Sequence, residues 1–425
     1  MELTDPDELH PTDPELAGLT EDVNLTDIRT GEDAHKWTQT GEENADESAH
    51  NALPFRVRHI GFRAPQQAEV FEYDEWELPD NCFRVRTLYC GVSTGTELTH
   101  FTGTNPYLHA HWDGHLGLFH DNAGHDEYPL PFSGYMQVGR VVQSKAASVR
   151  VGELVGMTYG HKDGHTANPD YELVFPIPHG IDPVLGIYVA QMGPICANGV
   201  LHADEEAFGE SAQTFGCGVR GRNVLVCGTG VIGLLVGMMC LRAGASEVAI
   251  CGRNEHKLSV AEKLGMTPLN TQTTDVGLWC KQRWHDGMGY RGAHVAFQCS
   301  GSDELLEVAL RGLAPQCAVI DLGFYQGGAN AVQLGREFHH NGLKHICAQI
   351  GRVPRKLSAH WDRRRLAQET ISFLQADGDS IKRHLFTHTF AFDDAQKAFE
   401  LLTSPNNNAL QVVLECPAPT LEACE

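Results

Sequence analysis

Apolar and polar residues alternate along the chain from Phe55 onward, and a period of two is typical of half-buried β-strands. The alternation runs through FRVRHIGFRAP, VFEYDEWEL and CFRVRTLYCGVS, and after Gly134 it continues in YMQVGRVVQS, GELVGMTYG and YELVFPIP. Proline and glycine bound these stretches. This part of the chain is therefore predicted to be rich in β-strands.

The middle of the chain follows a different pattern, in which apolar strands alternate with helices that end at glycine. The apolar stretch from Gly186 to Ala203 predicts a buried helix that leads into this region. The predicted strands are RNVLVCG, SEVAICG, AHVAFQCSG, CAVIDLG and HICAQIG, and the predicted helices are GLLVGMMCLRAG, EHKLSVAEKLG and DELLEVALRGL. Such alternation indicates an α/β fold with a parallel sheet and right-handed crossovers. Towards the C-terminus, DDAQKAFELLT predicts a further helix and ALQVVLE a strand.

Negative charge is concentrated near the N-terminus of an acidic chain. Residues 1–50 hold 15 Asp and Glu against Arg29 and Lys36, which accounts for −13 of the net charge of −23. This segment has no core-forming pattern, so we expect a disordered extension over 1–52, which is a solvated tail, a solubility device or a docking arm. We expect residues 417–425 to form a frayed tail.

The overall charge limits the classes of binding partner that we expect, and the cysteine pattern indicates the cellular compartment. A strongly negative chain without a basic stripe repels phosphate backbones and anionic lipid, so we expect a small-molecule substrate, no nucleic acid and no membrane. The 13 cysteines form no C-x-x-C pair, which favours reduced thiols. The N-terminal stretch MELTDPDELHPTDPEL lacks the basic start and the apolar segment of a signal peptide. We therefore expect a cytoplasmic protein.

The stretch VLVCGTGVIGLLVGMMCL carries glycines in G-x-G-x-x-G spacing between a predicted strand and a predicted helix. The first glycine allows the tight turn, the second lets the backbone approach a pyrophosphate, and the third lets helix and strand pack closely. The N-terminus of the helix offers free N–H groups to the phosphates. We therefore predict a dinucleotide site at Gly228, Thr229, Gly230, Val231, Ile232 and Gly233.

The end of the next predicted strand bears on which dinucleotide binds. An NAD site usually presents Asp or Glu there, whereas this chain has Gly252, Arg253 and Asn254. Arg253 supplies a fork of donors for a 2′-phosphate, which favours NADP over NAD. The alternative is that Arg253 is a solvated residue at a helix start. We also assign to the cofactor site three residues that follow later predicted strands, namely Cys299, Ser300 and Gly323.

The order of these parts resembles the medium-chain dehydrogenase/reductase superfamily, the relatives of zinc alcohol dehydrogenases, from about Phe55 to Glu415. GVSTGTELTHFTG, GYMQVGRVV, GRNVLVCGTGVIG, DDAQKAFELL and ALQVVLE carry the resemblance. The motifs S-x-G-T-E and G-Y-x-x-V-G-R-V are most similar to those of bacteriochlorophyllide-type dehydrogenases. The resemblance implies a GroES-like substrate domain over 53–200, completed by 355–416, around a Rossmann domain over 201–354. It also implies a homodimer.

The chain departs from that family at the zinc ligands. Ser93 stands where the zinc enzymes have Cys, and Tyr135 and Met136 stand where they have His-Glu. No Cys lies around 191–193, although Cys196 is close, and the four-cysteine lobe of the structural zinc is missing. Because Ser, Tyr and Met do not make a tetrahedral zinc set, we expect neither zinc site.

A histidine-rich segment leaves metal binding open. LHAHWDGHLGLFHDNAGH contains His109, His111, His115, His120 and His125, and GHKDGH adds His161 and His165. Imidazole is a common metal ligand. Histidines beside a substrate cleft serve equally well as solvated loop residues or as substrate donors.

Without zinc, hydride transfer needs another group to handle the alcohol proton or to stabilise the alkoxide. The resemblance implies that the loop with Ser93, Thr96 and Glu97 faces the cofactor and that Tyr135 takes a ligand position. We predict that Tyr135 is the proton donor and that Ser93 or Thr96 is its hydrogen-bond partner, the alternative being a merely packed tyrosine. Glu97 binds a polyol hydroxyl or caps a helix.

His339, His340 and Gln349 lie around the last predicted Rossmann strand and form a further candidate site, with a core or interface role as the alternative. Together these observations predict an NAD(P)-dependent oxidoreductase that transfers hydride between a nicotinamide and a carbonyl or secondary alcohol of a small, hydroxylated substrate. Two alternatives stay open. One is a nucleotide-binding sensor or scaffold without chemistry, and the other is a zinc-dependent polyol dehydrogenase with histidine ligands.

Overall fold

A computed structural model describes residues 54–121, 126–286 and 289–417 of the chain. All of them belong to one unit, Glu42–Glu425. The acidic extension predicted over 1–52 lies outside the described residues, and so does the predicted tail over 417–425 except for its first residue.

Strands and helices follow one another along the described chain much as the hydrophobic pattern predicts. The strands of the first part are β1 (Phe55–Ala64), β2 (Gln67–Glu75), β3 (Phe83–Val92), β4 (Ala110–Asp113), β5 (Leu118–Asp121), β6 (Gln137–Ser144), β7 (Leu154–Met157), β8 (Gly164–Ala167) and β9 (Phe175–Pro176). The later strands are β10 (Asn223–Cys227), β11 (Glu247–Gly252), β12 (Thr267–Asn270), β13 (Ala293–Gln298), β14 (Leu313–Asp321), β15 (Lys344–Cys347), β16 (Phe386–Ala391) and β17 (Gln411–Glu415). The α-helices are α1 (Thr96–Thr102), α2 (Met192–Phe208), α3 (Val231–Arg242), α4 (Glu255–Lys263), α5 (Val276–Arg283), α6 (Asp303–Gly312), α7 (Arg363–Leu385) and α8 (Ala395–Thr403).

The middle of the chain forms a parallel sheet of six strands in the order β12-β11-β10-β13-β14-β15. Every neighbouring pair in it is parallel. The order reverses between β10 and β13, and in a doubly wound sheet such a reversal opens a crevice at the carboxyl ends of the strands. The predicted α/β fold class with a Rossmann-type sheet is confirmed.

The β-rich part contains a sheet of seven strands in the order β16-β17-β3-β6-β7-β9, with β8 also paired to β3. Its first two strands come from the C-terminal part of the chain, and β17 pairs with β3 over Val412 to Glu415. Strands from the first part of the chain and from its C-terminal part therefore build one sheet, while β1 and β2 form a separate two-stranded sheet. The predicted boundaries at 53–200, 201–354 and 355–416 stay predictions.

Two helices link the sheets. The helix predicted between Gly186 and Ala203 begins later, at Met192, and ends at Phe208. The long helix α7 was not predicted, because Gly378 and its acidic neighbours interrupt the apolar pattern; in the fold, a Cβ on Gly378 would lie 2.8 Å from Leu185. One hydrophobic core runs from Val138 of β6 through α2 to Val226 of β10, so the two sheets share their packing.

None of the helices in the described ranges has the length and apolar character needed to cross a membrane.

Candidate active site

The glycine turn after β10 has the geometry that its spacing predicts. Gly228 has φ +115°, and a Cβ there would lie 3.2 Å from the Cys299 carbonyl. A Cβ on Gly233 would lie 1.9 Å from the Gly228 carbonyl oxygen, so only glycine lets α3 pack this close to the strand. A Cβ on Gly230 would meet nothing within 4 Å. The backbone at Gly230 is therefore open to an approaching group.

The N-terminus of α3 points its first N–H groups out of this turn. Gly230 is the N-cap residue and provides no side-chain cap, and Val231 and Ile232 start the helix. The first N–H groups of a helix lack intrahelical partners and carry the positive end of the helix dipole. Thr229, Val231 and Ile232 thus frame a position suited to an anion such as a pyrophosphate.

The end of β11 carries an unpaired cation. Gly252 packs against Thr229, since a Cβ there would lie 2.8 Å from the Thr229 side chain. Arg253 is exposed, and no carboxylate in the described ranges forms an ion pair with it. Lys257 is half-buried nearby on α4, and burial lowers the pKa of its ammonium. Asn254 instead caps α4, because its side chain accepts from the Lys257 N–H at 3.0 Å.

The remaining predicted cofactor residues meet at the same edge of the sheet. The Cys299 N–H donates to the Cys227 carbonyl at 2.8 Å, which holds the end of β13 beside the glycine turn. A Cβ on Gly323 would lie 2.3 Å from the Ser300 carbonyl oxygen. These residues therefore surround the crevice where the strand order reverses.

Two hydroxyl groups form a buried pair in the β-rich part. The Tyr135 hydroxyl donates to Ser93 Oγ at 2.5 Å, and both residues are less than a tenth exposed. Burial raises the pKa of Tyr135 well above its ordinary range, and the negative charge of Glu97 adds to this. Hydrogen bonds to Ser93 and Thr96 act in the opposite direction. The tyrosine is thus held as a protonated donor, as the proposed role requires.

Glu97 anchors this pair through a contact that the sequence did not reveal. Its Oε1 accepts from the Ser93 N–H at 3.1 Å, and its Oε2 lies 2.7 Å from His161 Nε2. His161 is fully buried, and its Nδ1 has no hydrogen-bond partner in the described chain. The ring fills the space beside Gly134, where a Cβ would lie 2.6 Å from it. The sequence leaves His161 open as a metal ligand, a solvated loop residue or a substrate donor, and no local pattern links it to Glu97, 64 positions away.

Contacts across the cleft bring this cluster near the carboxyl edge of the parallel sheet. Thr104, just after α1, donates from its hydroxyl to Gln326 Oε1 at 2.8 Å, and Gln326 follows β14. The Ile187 side chain lies 2.9 Å from the Cβ position of Gly91, two residues before Ser93. On α2, the Cys196 thiol faces the Ile232 carbonyl at 3.8 Å. The hydroxyl pair and the glycine turn therefore flank the same segment, 187–196.

The zinc-ligand positions of the resembled family do not offer a zinc set here. Ser93 and Tyr135 bond to each other, and Met136 is fully buried. A Cβ on Gly193 would lie 2.1 Å from Thr370 Cγ2, so no ligand side chain fits there. Burial raises the pKa of the Cys196 thiol, whose Sγ faces the Ile232 carbonyl at 3.8 Å.

The histidine-rich segment forms a hairpin instead of a cluster. His111 of β4 stands opposite His120 of β5, and His115 lies in the connecting turn. His165 lies elsewhere and pairs with Glu172 at 2.8 Å, and His125 is outside the described residues. Across the described ranges, no group of three or more His, Cys, Asp or Glu side chains is arranged to hold a metal ion.

The candidate site at His339 and His340 is wrong in its placement. Both residues are exposed and precede β15, so they lie at the amino edge of the parallel sheet, opposite the glycine turn. Gln349 follows β15 at the carboxyl edge, where its carbonyl accepts from Asn198 Nδ2 of α2 at 3.0 Å. Only Gln349 therefore lies near the cleft.

Comparison with known proteins matches the described architecture. Residues 231–352 match a family described as zinc-binding dehydrogenase. D-guloside 3-dehydrogenase of Escherichia coli K12 is 28% identical over 74% of this chain and 87% of its own length. D-xylulose reductase of Saccharomyces cerevisiae is 27% identical over 46% of this chain and 52% of its own length. The crystal structure of a putative zinc-binding dehydrogenase from Sinorhizobium meliloti 1021, bound to NADP, has a TM-score of 0.61 at 17% identity and covers 85% of this chain and 99% of that one.

Proposed function

We infer that the chain belongs to the medium-chain dehydrogenase/reductase superfamily of zinc-type alcohol dehydrogenase-like proteins, and from this premise we propose the reaction that it performs. It is an enzyme of the alcohol dehydrogenase and reductase class. We propose hydride transfer between NADP and a carbonyl or secondary alcohol of a small hydroxylated compound, without catalytic zinc. The observation that carries the proposal is the complete glycine turn at the reversal of the six-stranded parallel sheet.

The turn and the strand tip fit NADP. The open backbone at Gly230 and the uncapped start of α3 suit the pyrophosphate, and Arg253 is free to fork onto a 2′-phosphate. Gly252 adds no carboxylate that would repel that phosphate. Cys299, Ser300 and Gly323 line the rest of this edge. When bound, the nicotinamide supplies or accepts the hydride.

Tyr135 handles the proton that accompanies the hydride. In the reducing direction the Tyr135 hydroxyl releases Ser93 Oγ and gives its proton to the substrate oxygen, and the phenolate so formed takes a proton from solvent before the next turnover. The oxidising direction runs through the same steps in reverse. Ser93 and Thr96 hold the hydroxyl in place, while Glu97 holds the Ser93 backbone. The Glu97–His161 pair is buried and does not itself touch Tyr135 Oη, so its part is to position the loop.

Two details support chemistry without zinc. The Ser93 and Tyr135 oxygens are committed to each other, and Gly193 leaves no room for a third ligand. The same proposal includes a homodimer in the cytoplasm. The relatives are named D-guloside 3-dehydrogenase and D-xylulose reductase, and we propose a hydroxylated substrate for this chain as well.

The test is turnover of the purified full chain with NADPH and NADH against a panel of hydroxylated ketones and aldehydes, in chelator, together with elemental analysis. We expect repeated oxidation of NADPH that survives the chelator and far less than one zinc per chain. Binding of NADPH without turnover of any carbonyl would instead support the sensor alternative. Stoichiometric zinc and loss of activity in chelator would contradict the zinc-free reaction.

A further inference from the structure

Arg363, the first residue of α7, is a cation without a counter-charge. Its Nη2 donates to the Ala190 carbonyl at 3.2 Å and to Gln191 Oε1. Burial lowers the pKa of the guanidinium, and no carboxylate of the described chain pairs with it. Its Nε is buried and has no hydrogen-bond partner in the described chain. A partly buried charge without a counter-charge is costly, so an anion bound beside Arg363 would stabilise it.

Gln191 adds a second unsatisfied donor. The residue is 1% exposed, and its Oε1 is already committed to Arg363. The amide therefore presents Nε2 on its other side, where no acceptor of the described residues meets it. A buried amide donor that lacks an acceptor costs about 1–3 kcal/mol. Two neighbouring side chains thus each have a buried N–H donor without an acceptor in the described chain.

The N-terminus of α2 lies beside these donors. Gln191 is its N-cap residue, and no side chain caps this helix of 17 residues. The first turn packs against α7, since Gly193 meets Thr370 there. Met192 and Gly193 supply the free N–H groups, since Pro194 has none and the Ile195 N–H donates to the Gln191 carbonyl, and the helix dipole favours negative charge at this end.

The donors of Arg363, Gln191 and α2 lie beside the cleft between the hydroxyl pair and the cofactor edge. The segment that precedes α2 contacts Gly91 near Ser93, and Cys196 of α2 contacts Ile232 of the glycine turn. Arg363 of α7 therefore contacts, through Ala190 and Gln191, the segment that lies between the Ser93–Tyr135 pair and the cofactor edge.

The local charge fits an anion despite the acidic chain. Residues 352–365 contain six Lys and Arg and a single acid, Asp362. The expectation of a chain without a basic stripe is therefore wrong for this segment. Basic residues around a cleft attract anions and raise their local concentration.

We propose that Arg363, Gln191 and the N-terminus of α2 bind an oxyanion, a carboxylate or a phosphate, on the hydroxylated substrate. That the oxyanion belongs to the substrate rests on the proposed function; the binding of an oxyanion does not. Arg363 is the specificity-determining residue that separates acidic sugars and hydroxy acids, or sugar phosphates, from neutral polyols.

Calorimetric titration of the full chain with D-gluconate, inorganic phosphate and neutral sorbitol tests the proposal. We expect D-gluconate or phosphate to bind more tightly than sorbitol, and Arg363→Gln to weaken the bound anion about tenfold to a hundredfold. Comparison of the two anions tells carboxylate from phosphate. Arg364→Gln is the matched control, because Arg364 is an exposed neighbour, and it should keep anion binding within about twofold of wild type.

Equal binding of D-gluconate, phosphate and sorbitol, or equal losses in both variants, would overturn the oxyanion site. If Arg363→Gln does not fold, Arg363→Lys keeps the charge and must still prefer an anion over sorbitol. If the protein binds the anion but does not oxidise NADPH with any carbonyl, the oxyanion site is supported and the proposed function is rejected. If it reduces neutral and anionic carbonyls at equal kcat/KM, and Arg363→Gln does not change this, the proposed function is supported and the oxyanion site is rejected.

Discussion

At the scale of single residues, the site depends on one tyrosine whose surroundings keep it protonated. Tyr135 is buried against Ser93, and both burial and the charge of Glu97 raise its pKa. A phenol with a raised pKa keeps its proton through neutral and moderately alkaline pH. Deprotonation of free Tyr135 therefore does not limit the reduction reaction in that range.

Replacing Tyr135 with Phe removes the proton donor and leaves the ring. We expect kcat to fall about 10²- to 10⁴-fold, the range of general acid catalysis, with NADPH affinity unchanged. Steady-state kinetics and fluorescence titration of NADPH measure the two effects. Tyr159→Phe is the matched control, because Tyr159 is also buried and bonds to a hydroxyl, that of Thr87, at 2.8 Å. Equal activity of Tyr135→Phe and wild type would rule out the tyrosine as donor.

Arg253 is expected to distinguish the two dinucleotides, because only NADPH carries a 2′-phosphate. Arg253→Ala should weaken NADPH about tenfold to a hundredfold, the value of a charge-assisted hydrogen bond, and leave NADH nearly unchanged. Fluorescence titration of both cofactors gives the ratio, so NADH is the internal control. A parallel loss of both would show that Arg253 does not bind the phosphate. Gly252→Asp is a poorer test, since its side chain would meet Thr229.

At the scale of elements, α2 serves the site with its first turn and supports the parallel sheet with its last. Near its C-terminal end, Asp204 accepts from the Gly216 N–H at 2.8 Å and from the Gly218 N–H at 2.6 Å. These bonds hold the loop that leads into β10 and the glycine turn. The carboxylate is fully buried, so keeping it charged has a cost in desolvation free energy.

Because of this desolvation cost, we expect the free energy of unfolding to depend on pH through Asp204. Burial, which outweighs the two backbone hydrogen bonds, raises the pKa of Asp204 from 3.8 to about 7. The folded state therefore holds this proton more tightly than the unfolded state, and the contribution to stability is lost as pH rises from about 4 to about 7. Asp204→Asn does not titrate. Denaturant unfolding of both proteins should show the advantage of wild type over Asp204→Asn shrinking across this range, and an advantage that grows with pH would contradict the assignment.

At the scale of the whole molecule, the parallel sheet ends in an exposed edge. β15 pairs with β14 on one side, and most of its residues are exposed. The Ala348 N–H donates inward to the Asp321 carbonyl at 2.8 Å. Because N–H groups alternate in direction along a strand, the Cys347 N–H points away from the sheet. This edge suits pairing with the same edge of a second copy, which is the proposed homodimer.

Cys347→Pro removes that outward N–H and leaves the inward ladder intact. A hydrogen bond contributes about 1 kcal/mol, and two-fold symmetry removes it twice, so we expect the dimer to weaken roughly thirtyfold. Sedimentation over a concentration series gives the dissociation constant. Cys347→Ala keeps the N–H and should match wild type. A wild-type chain that stays monomeric, or equal weakening in Cys347→Ala, would remove this edge as the interface.

Local sequence features predicted much of the architecture and part of the site. The apolar–polar alternation in strands, the alternation of strands with helices and the glycine spacing are patterns over short stretches of sequence. The structure agrees with each of them. Ser93 or Thr96 was predicted as the hydrogen-bond partner of Tyr135, and Tyr135 bonds to Ser93, while its role in catalysis stays a prediction. The long helix α7 escaped prediction because Gly378, which packing against Leu185 requires, interrupts its apolar pattern.

What the sequence by itself determined is local. The glycine turn, the strand tip without an acid, and the Ser93 and Tyr135-Met136 departures from the resembled family are properties of short stretches. The tertiary structure alone decided which distant groups share a buried space. Glu97 meets His161 across 64 positions, and Gln191 meets Arg363 across 172. The physical reason is that burial makes an unpaired polar group costly, so packing selects such partners, while no periodicity along the chain records them.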